Sequence, residues 1–262
     1  MEKEDKASND SNWSYYIEQI KRSLAISKKN IKIYYNKGPV IIQGLIVPAM
    51  LFFAFTIGRD IQPVYLTSGL MAMVLFLTAA SIGPVVFPWE TRQKTLERLI
   101  TCPVSIRTIL LGDVWGSFLF GTIFAFPPLL FGLIFFSLWG SLNLLVIIAG
   151  IIIGAFSFAC FSIILSVPPT DNPGNIMIFT LSIKFPLVFL SALFVPVEMA
   201  PYSIISPVTY FIDIVNFGLT GKSAFGPLGL LLDFGILAAF GMGFLFLAFK
   251  LHELVLQRRF SG

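Results

Sequence analysis

The sequence predicts an all-α integral membrane protein with six transmembrane helices. Its composition is the first observation: 56% of the 262 residues are hydrophobic and 12% are charged, against about 25% charged residues in soluble domains. The second is that the apolar residues gather in long runs rather than alternating, which favours spanning helices over a barrel of strands. The composition therefore excludes a soluble enzyme and a secreted disulfide scaffold.

Residues 1–37 are predicted to form a cytoplasmic segment with an amphipathic interfacial helix. Over residues 12–37, apolar side chains recur at helical spacing, namely Ile17, Ile20, Leu24 and Ile31. The opposite face is basic and includes Lys21, Lys28 and Lys32. We expect the helix to lie on the inner membrane surface and contact anionic lipid headgroups. Simple anchoring and transmission of motion to the first span remain alternative roles.

Residues 38–262 are predicted to form one six-span transmembrane domain. The apolar runs lie at about 39–57, 64–88, 108–138, 142–167, 176–197 and 227–249. Each is long enough for the roughly 20 residues that a helix needs to cross the hydrocarbon core. The segment 202–219 approaches a span in length, but Pro207 and Asp213 interrupt it. We therefore predict two short helical pieces there that dip into the outer leaflet.

The basic residues predict the orientation of these spans. Fifteen of the 18 Lys and Arg residues fall on the side of the two termini, and only Arg59 and Lys222 fall on the other side. The remaining cation, Lys184, lies inside the fifth span. The positive-inside rule then places both termini in the cytoplasm, with the protein in the cytoplasmic membrane. The basic charge is accounted for by membrane flanks, so no nucleic-acid partner is expected.

Several residues that could carry chemistry do not combine into a site. Cys102 falls in a charged loop and Cys160 in an apolar run, so no disulfide is expected. The single histidine, His252, has no second ligand nearby, and no bound metal is predicted. Residues 220–223 imitate the end of a phosphate-binding loop, but Asn216 occupies the position of its leading glycine. We expect no catalytic residue and no cofactor on this chain.

Glu90 to Ser105 form a cytoplasmic segment of mixed charge between the second and third spans. Leu96, Leu99 and Ile100 give one short apolar stripe on a helix that ends before Pro103. Such a helix is either a docking surface for a soluble partner or a solvated surface helix.

This segment, with Thr95-Leu96-Glu97, Leu99 and Pro103-Val104-Ser105, resembles the coupling-helix motif of type-2 permeases of ATP-binding-cassette (ABC) exporters. A second stretch runs from Leu190 to Glu198 and continues with Pro201 and Pro207-Val208-Thr209-Tyr210. It resembles the outer segment of the same family, where short re-entrant helices precede the last span, here at about 198–226. Lys94 and Ala192 stand where the family usually has glycine.

The resemblance implies that the chain is the permease subunit of an ATP-driven exporter. Its expected partners are a second permease copy and two separate ATPase subunits, which hold the ATP and Mg²⁺. The resemblance assigns ATPase coupling to the segment residues Glu90, Arg92, Thr95, Leu96, Glu97, Leu99 and Pro103. It assigns the outer re-entrant or gate positions to Glu198, Pro201, Pro207 and Tyr210, although Glu198 could also be a wetted helix end.

The substrate implied is a hydrophobic drug-like or lipid-linked molecule. A polysaccharide or lipid-linked glycan is the alternative for the same type of complex. An ion-coupled secondary transporter is disfavoured, because no paired intramembrane carboxylates or inverted repeats are evident.

Three ionisable residues within the spans need a structural explanation, because each is costly at a helix centre. We expect Lys184 to face a cavity or pair with a carboxylate, with snorkelling as the alternative. Asp233 is a better candidate than Asp113 for a polar cavity or an interhelical bond. Asp113, near the inner end of the third span, is expected at the interface.

Overall fold

The computed structural model describes residues 2–35, 42–102, 104–168, 172–194, 197 and 201–260. Within these ranges all regular secondary structure is helical, which confirms the all-α prediction. The α-helices are α1 (Glu2–Asn30), α2 (Val47–Thr56), α3 (Pro63–Ala79), α4 (Ile82–Arg92), α5 (Thr95–Ile100), α6 (Ile106–Phe136), α7 (Leu144–Leu165), α8 (Pro173–Phe189), α9 (Pro207–Thr220) and α10 (Gly229–Phe260). The remaining regular elements are short π-helical turns at Ile31–Tyr35 and Ile42–Ile46 and a 3-10 turn at Pro201–Ile205.

Four helical stretches of the described chain are long and apolar enough to cross a membrane. They are Pro63–Val86, Ile106–Phe136, Leu144–Leu165 and Gly229–Val255. The first combines α3 with the start of α4 across a break at Ala80 and Ser81. These stretches match the predicted second, third, fourth and sixth spans.

The predicted first and fifth spans are represented by shorter apolar helices, Gly44–Thr56 and Gly174–Phe189. Parts of both predicted runs, residues 39–41 and 195–196, lie outside the described residues. The six-span layout therefore stays a prediction, whereas the length and apolar composition of the four longer stretches support a multi-pass helical membrane protein.

Helix α3 forms the centre of the core. It packs against α2, α6, α7 and α9, and nearly all of its side chains from Thr67 onward are buried. Close approach to α6 depends on glycine, since a Cβ at Gly121 would lie 2.8 Å from the Cβ of Ala79. Small residues of this kind let membrane helices approach closely. Helix α10 contacts α7 and α9 and keeps many large apolar side chains exposed.

The amphipathic helix α1 packs onto α6 through a face that the sequence pattern did not indicate. Its buried residues are Ser23, Ile26, Ser27 and Asn30. Three residues of the predicted apolar stripe, Ile17, Ile20 and Leu24, are about half exposed instead. These three residues are thus left available for a membrane surface, while Ile26 and small polar residues make the protein contact.

Candidate functional site

The predicted coupling segment contains a short helix, α5, which follows α4 in the chain, contacts it, and precedes α6. A turn at Gln93 and Lys94 separates α5 from α4, and the Thr95 hydroxyl donates to the Glu90 carbonyl across this turn (3.1 Å). Lys94 adopts φ 55°, a left-handed conformation that glycine tolerates best. This geometry explains why glycine would suit the position that Lys94 occupies. The Thr101 hydroxyl donates to the Arg98 carbonyl (2.8 Å) at the other end of α5.

The assigned coupling residues differ in how much the structure says of them. Arg92 is exposed, Thr95 and Leu99 are half-buried, and Glu90 is fully buried. Pro103 and the side chains of Leu96 and Glu97 lie outside the described part. Their roles in coupling therefore remain predictions.

Glu90 is bonded to the N-terminal helix. Its carboxylate Oε1 pairs with the Lys29 ammonium, which bridges 61 positions of sequence. The Glu90 side chain is 0% exposed and that of Lys29 is 33% exposed. A buried carboxylate needs such a cation, because an unpaired buried charge is strongly destabilising. The pair fixes the end of α4, immediately before α5, to α1.

The start of α6 is bonded to the same helix. The Asn30 amide donates to the Asp113 carboxylate, and the Thr108 hydroxyl donates to the Gln19 side-chain oxygen (2.6 Å). A Cβ added to Gly112 would lie 2.7 Å from Cγ2 of Ile26, so only glycine lets the two helices approach this closely. The two helices that flank α5 are therefore both tied to α1.

Two features of this cluster were not predicted from the sequence. Asp113, expected at the membrane interface, is fully buried among protein side chains with Asn30 as its partner. Its depth in the membrane stays a prediction. Lys29 and Asn30 were not singled out at all, because a lysine and an asparagine in a basic helix give no sequence signal for a partner 61 or 83 residues away.

The predicted outer segment folds into two short pieces, the 3-10 turn Pro201–Ile205 and α9. Ser206 lies between them, and its hydroxyl donates to the Leu187 carbonyl (2.9 Å). Pro207 occupies the first turn of α9, where a missing N–H costs nothing. The Tyr210 hydroxyl donates to the Ile204 carbonyl (2.8 Å) and holds the two pieces together. Glu198 lies outside the described residues.

Residues 220–223 have a structural role. Gly221 ends α9 in a left-handed conformation, and the Ser223 hydroxyl and the Ala224 N–H donate to the Asp213 carboxylate (2.5 and 3.0 Å). Asp213 therefore closes the connection between α9 and α10. A phosphate-binding loop follows a strand and opens a helix. This segment does neither.

Asp233 of α10 is fully buried near the carboxyl group of Asp213, and neither of its own carboxyl oxygens has a hydrogen-bond partner among the described residues. Burial and the nearby Asp233 carboxylate together raise the pKa of the Tyr210 phenol, so its hydroxyl remains a donor. The sequence separated these three residues by up to 23 positions, and packing of α9 on α10 brings them together.

A polar cavity of about 500 Å³ lies beside α9, and we call it the α9 pocket. Its polar lining includes Gln62, Thr209, Asp213, Asn216 and Lys222. Asn216 is 9% exposed, and its side-chain oxygen has no hydrogen-bond partner among the described residues.

Lys184 is buried in α8, at 1% exposure. Its ammonium donates to the Ser81 hydroxyl (2.9 Å), at the break between α3 and α4. It forms no ion pair with a carboxylate in the described part of the chain. Its surroundings are a second, smaller cavity between α4 and α8.

These features define a multi-pass helical membrane protein in which both helices that flank the short helix α5 are tied to the N-terminal helix α1. The chain matches the ABC-2 type transporter family over residues 21–219, which is most of its length, and it belongs to that family. It is thus the membrane component of an ABC transporter, a transport subunit rather than a catalytic one, and the family associates with an ABC ATPase. No curated protein is significantly similar to the chain.

Proposed function

We propose that this chain is the permease subunit of an ATP-driven exporter in the cytoplasmic membrane. The proposed substrate is a hydrophobic drug-like or lipid-linked molecule. The observation that carries the proposal is helix α5, which is bonded through Glu90 and flanked by α4 and α6, both tied to α1. A soluble ATPase that pushes α5 would displace α1, α4 and α6 together rather than bend a loose loop.

A second copy of the permease is part of this proposal. The outward faces of α6 and α10 carry exposed apolar side chains, including Ile134, Phe135, Leu231 and Phe246. These faces suit lipid or a second copy, and two copies would enclose a path for an apolar substrate. ATP and Mg²⁺ would be held by the separate ATPase subunits.

Export of a lipid-linked glycan or polysaccharide is the second candidate. The α9 pocket favours it, because its amide, hydroxyl, carboxylate and ammonium groups suit a hydroxylated substrate better than a purely apolar one. This candidate would be selected if a glycan, but not an apolar drug, stimulates ATP hydrolysis by the complex.

The test of the proposed function is co-purification of the tagged chain with an ATPase from its own cells. We expect stoichiometric recovery of the ATPase and hydrolysis that a substrate stimulates. The complex that contains the variant Lys222→Ala should hydrolyse ATP at the parental rate, because residues 220–223 end a helix and close onto Asp213 rather than form a phosphate-binding loop. A chain that transports without any ATPase would contradict the proposal, and loss of nucleotide binding in Lys222→Ala would contradict the interpretation of that segment.

The orientation predicts a specific labelling pattern. In a chain whose two native cysteines are replaced, single cysteines at positions 4, 94 and 258 should be protected from an impermeant thiol reagent in intact cells, and one at 222 should react. The reason is the concentration of 15 of 18 basic residues on one side. Permeabilised cells provide the control, in which all four positions should react. Labelling of position 258 from outside would overturn the six-span arrangement.

A further inference from the structure

The smaller cavity lies between α4 and α8 and has a volume of about 160 Å³. Its walls are largely apolar and include Val85, Trp89 and Ile176. Three polar side chains also line it, namely Ser81, Thr180 and Lys184. We call it the Lys184 cavity.

The polar groups of the Lys184 cavity have unused hydrogen-bonding capacity. An ammonium carries three donors, and in the described part of the chain Lys184 uses one of them, toward Ser81 (2.9 Å). Thr180 precedes Lys184 by one helical turn, is 5% exposed, and its hydroxyl has no partner among the described residues. Both groups therefore face the same space from one side of α8.

This arrangement favours an anionic ligand. A buried ammonium without a counter-charge is destabilising, and a carboxylate or phosphate within hydrogen-bonding distance offsets that cost. A second donor beside it, the Thr180 hydroxyl, suits the second oxygen of an acid group. A neutral ligand of the same shape would leave the charge uncompensated.

The size of the cavity limits how much of the ligand it can enclose. Pockets for drug-sized molecules have about 300–1,000 Å³, so a cavity of about 160 Å³ holds an acid group and only the first carbons attached to it. The rim continues into partly exposed apolar side chains, with Val85, Trp89 and Met177 between 36% and 45% exposed. An alkyl chain leaving the cavity would lie along them.

We propose that the Lys184 cavity binds the acid group of an anionic amphiphile, with Lys184 compensating its charge, Thr180 donating a hydrogen bond, and the alkyl chain lying on the apolar rim. Such a site would make the transporter prefer acidic over neutral hydrophobic substrates. The inference therefore deepens the proposed transport function and rests on it. The shared chemistry, an acid on an alkyl chain, is offered both by free fatty acids and by acidic membrane lipids.

The test is a competition assay on the full chain, purified in a neutral detergent, with the fluorescent fatty acid cis-parinaric acid as the probe. Oleate should displace the probe at a concentration at least tenfold lower than its neutral analogue methyl oleate. The variant Lys184→Met should bind the probe at least tenfold more weakly, and Thr180→Val several-fold more weakly. Lys250→Met removes an exposed lysine of α10 and serves as the matched control, with unchanged binding. Equal displacement by acid and ester, or unchanged binding by Lys184→Met, would overturn the proposal.

The comparison of oleate with methyl oleate needs no variant, so the proposal stays testable if Lys184→Met fails to fold. A third competitor, 1-oleoyl-lysophosphatidylglycerol, separates the sources: stronger displacement by it indicates a lipid headgroup, and stronger displacement by oleate indicates a free acid. The assay contains no nucleotide and no ATPase. Loss of acid preference with intact ATPase recovery therefore refutes only this inference, whereas acid binding without any associated ATPase refutes only the proposed function.

Discussion

Replacing Leu96 and Leu99 together with alanine is expected to lower recovery of the ATPase with this chain at least tenfold, at unchanged membrane abundance. Helix α5 has six residues, so its hold on a soluble partner must depend on a few apolar anchors. Truncating one such anchor costs about 2 kcal/mol or more, and about 1.4 kcal/mol corresponds to a tenfold change in affinity. Leu99 is half-buried against its own chain, which leaves part of its surface for a partner. ATPase co-purification and substrate-stimulated hydrolysis are the measurements.

Two further variants sharpen this experiment. Leu254→Ala removes an exposed leucine near the other end of the chain and should leave ATPase recovery unchanged. Glu97→Gln should have a smaller effect that weakens with added salt, as expected of a contact at the rim of an interface. If the double leucine variant keeps its partner and transports at the parental rate, α5 is not the coupling helix.

The position of α5 could be predicted from the sequence because its signals are local. The apolar spacing, the mixed charge and Pro103 all lie within residues 90–105, and the helix Thr95–Ile100 forms inside that range. The strained conformation of Lys94 likewise falls at the position where the family usually has glycine.

The polar cluster behind α5 could not be predicted, because it is made by packing. Lys29, Glu90 and Asp113 belong to three helices, and nothing in their neighbourhoods indicates a partner far along the chain. The hydrophobic pattern of α1 indicated a face for the membrane surface and gave no signal for the face that contacts α6. Small polar residues such as Ser23 and Ser27 let helices approach closely, so in a membrane protein they can outweigh a stripe of large apolar residues as the packing surface.

Removing the Lys29 ammonium is the second change with a large expected effect. Breaking a fully buried ion pair costs about 3–5 kcal/mol, and because Lys29 is 33% exposed we expect a smaller cost for Lys29→Met, about 2–3 kcal/mol. That corresponds to a loss of at least about 4 °C in the Tm of the purified chain. Glu90→Gln should cost less, since the partly exposed lysine can be rehydrated whereas the buried carboxylate cannot. Lys28→Met, which changes the exposed neighbouring lysine, should leave the Tm unchanged.

The double variant Lys29→Met with Glu90→Gln separates a structural from a coupling role of this pair. Without either charge, no uncompensated carboxylate remains, so the Tm should recover most of what Lys29→Met lost. If the pair also passes displacement of α5 to α1, the number of substrate molecules transported per ATP hydrolysed should stay low in the double variant despite its restored stability. Recovery of both quantities would limit the pair to holding the helices together. An unchanged Tm in Lys29→Met would mean that the Lys29–Glu90 pair does not stabilise the contact between α1 and α4.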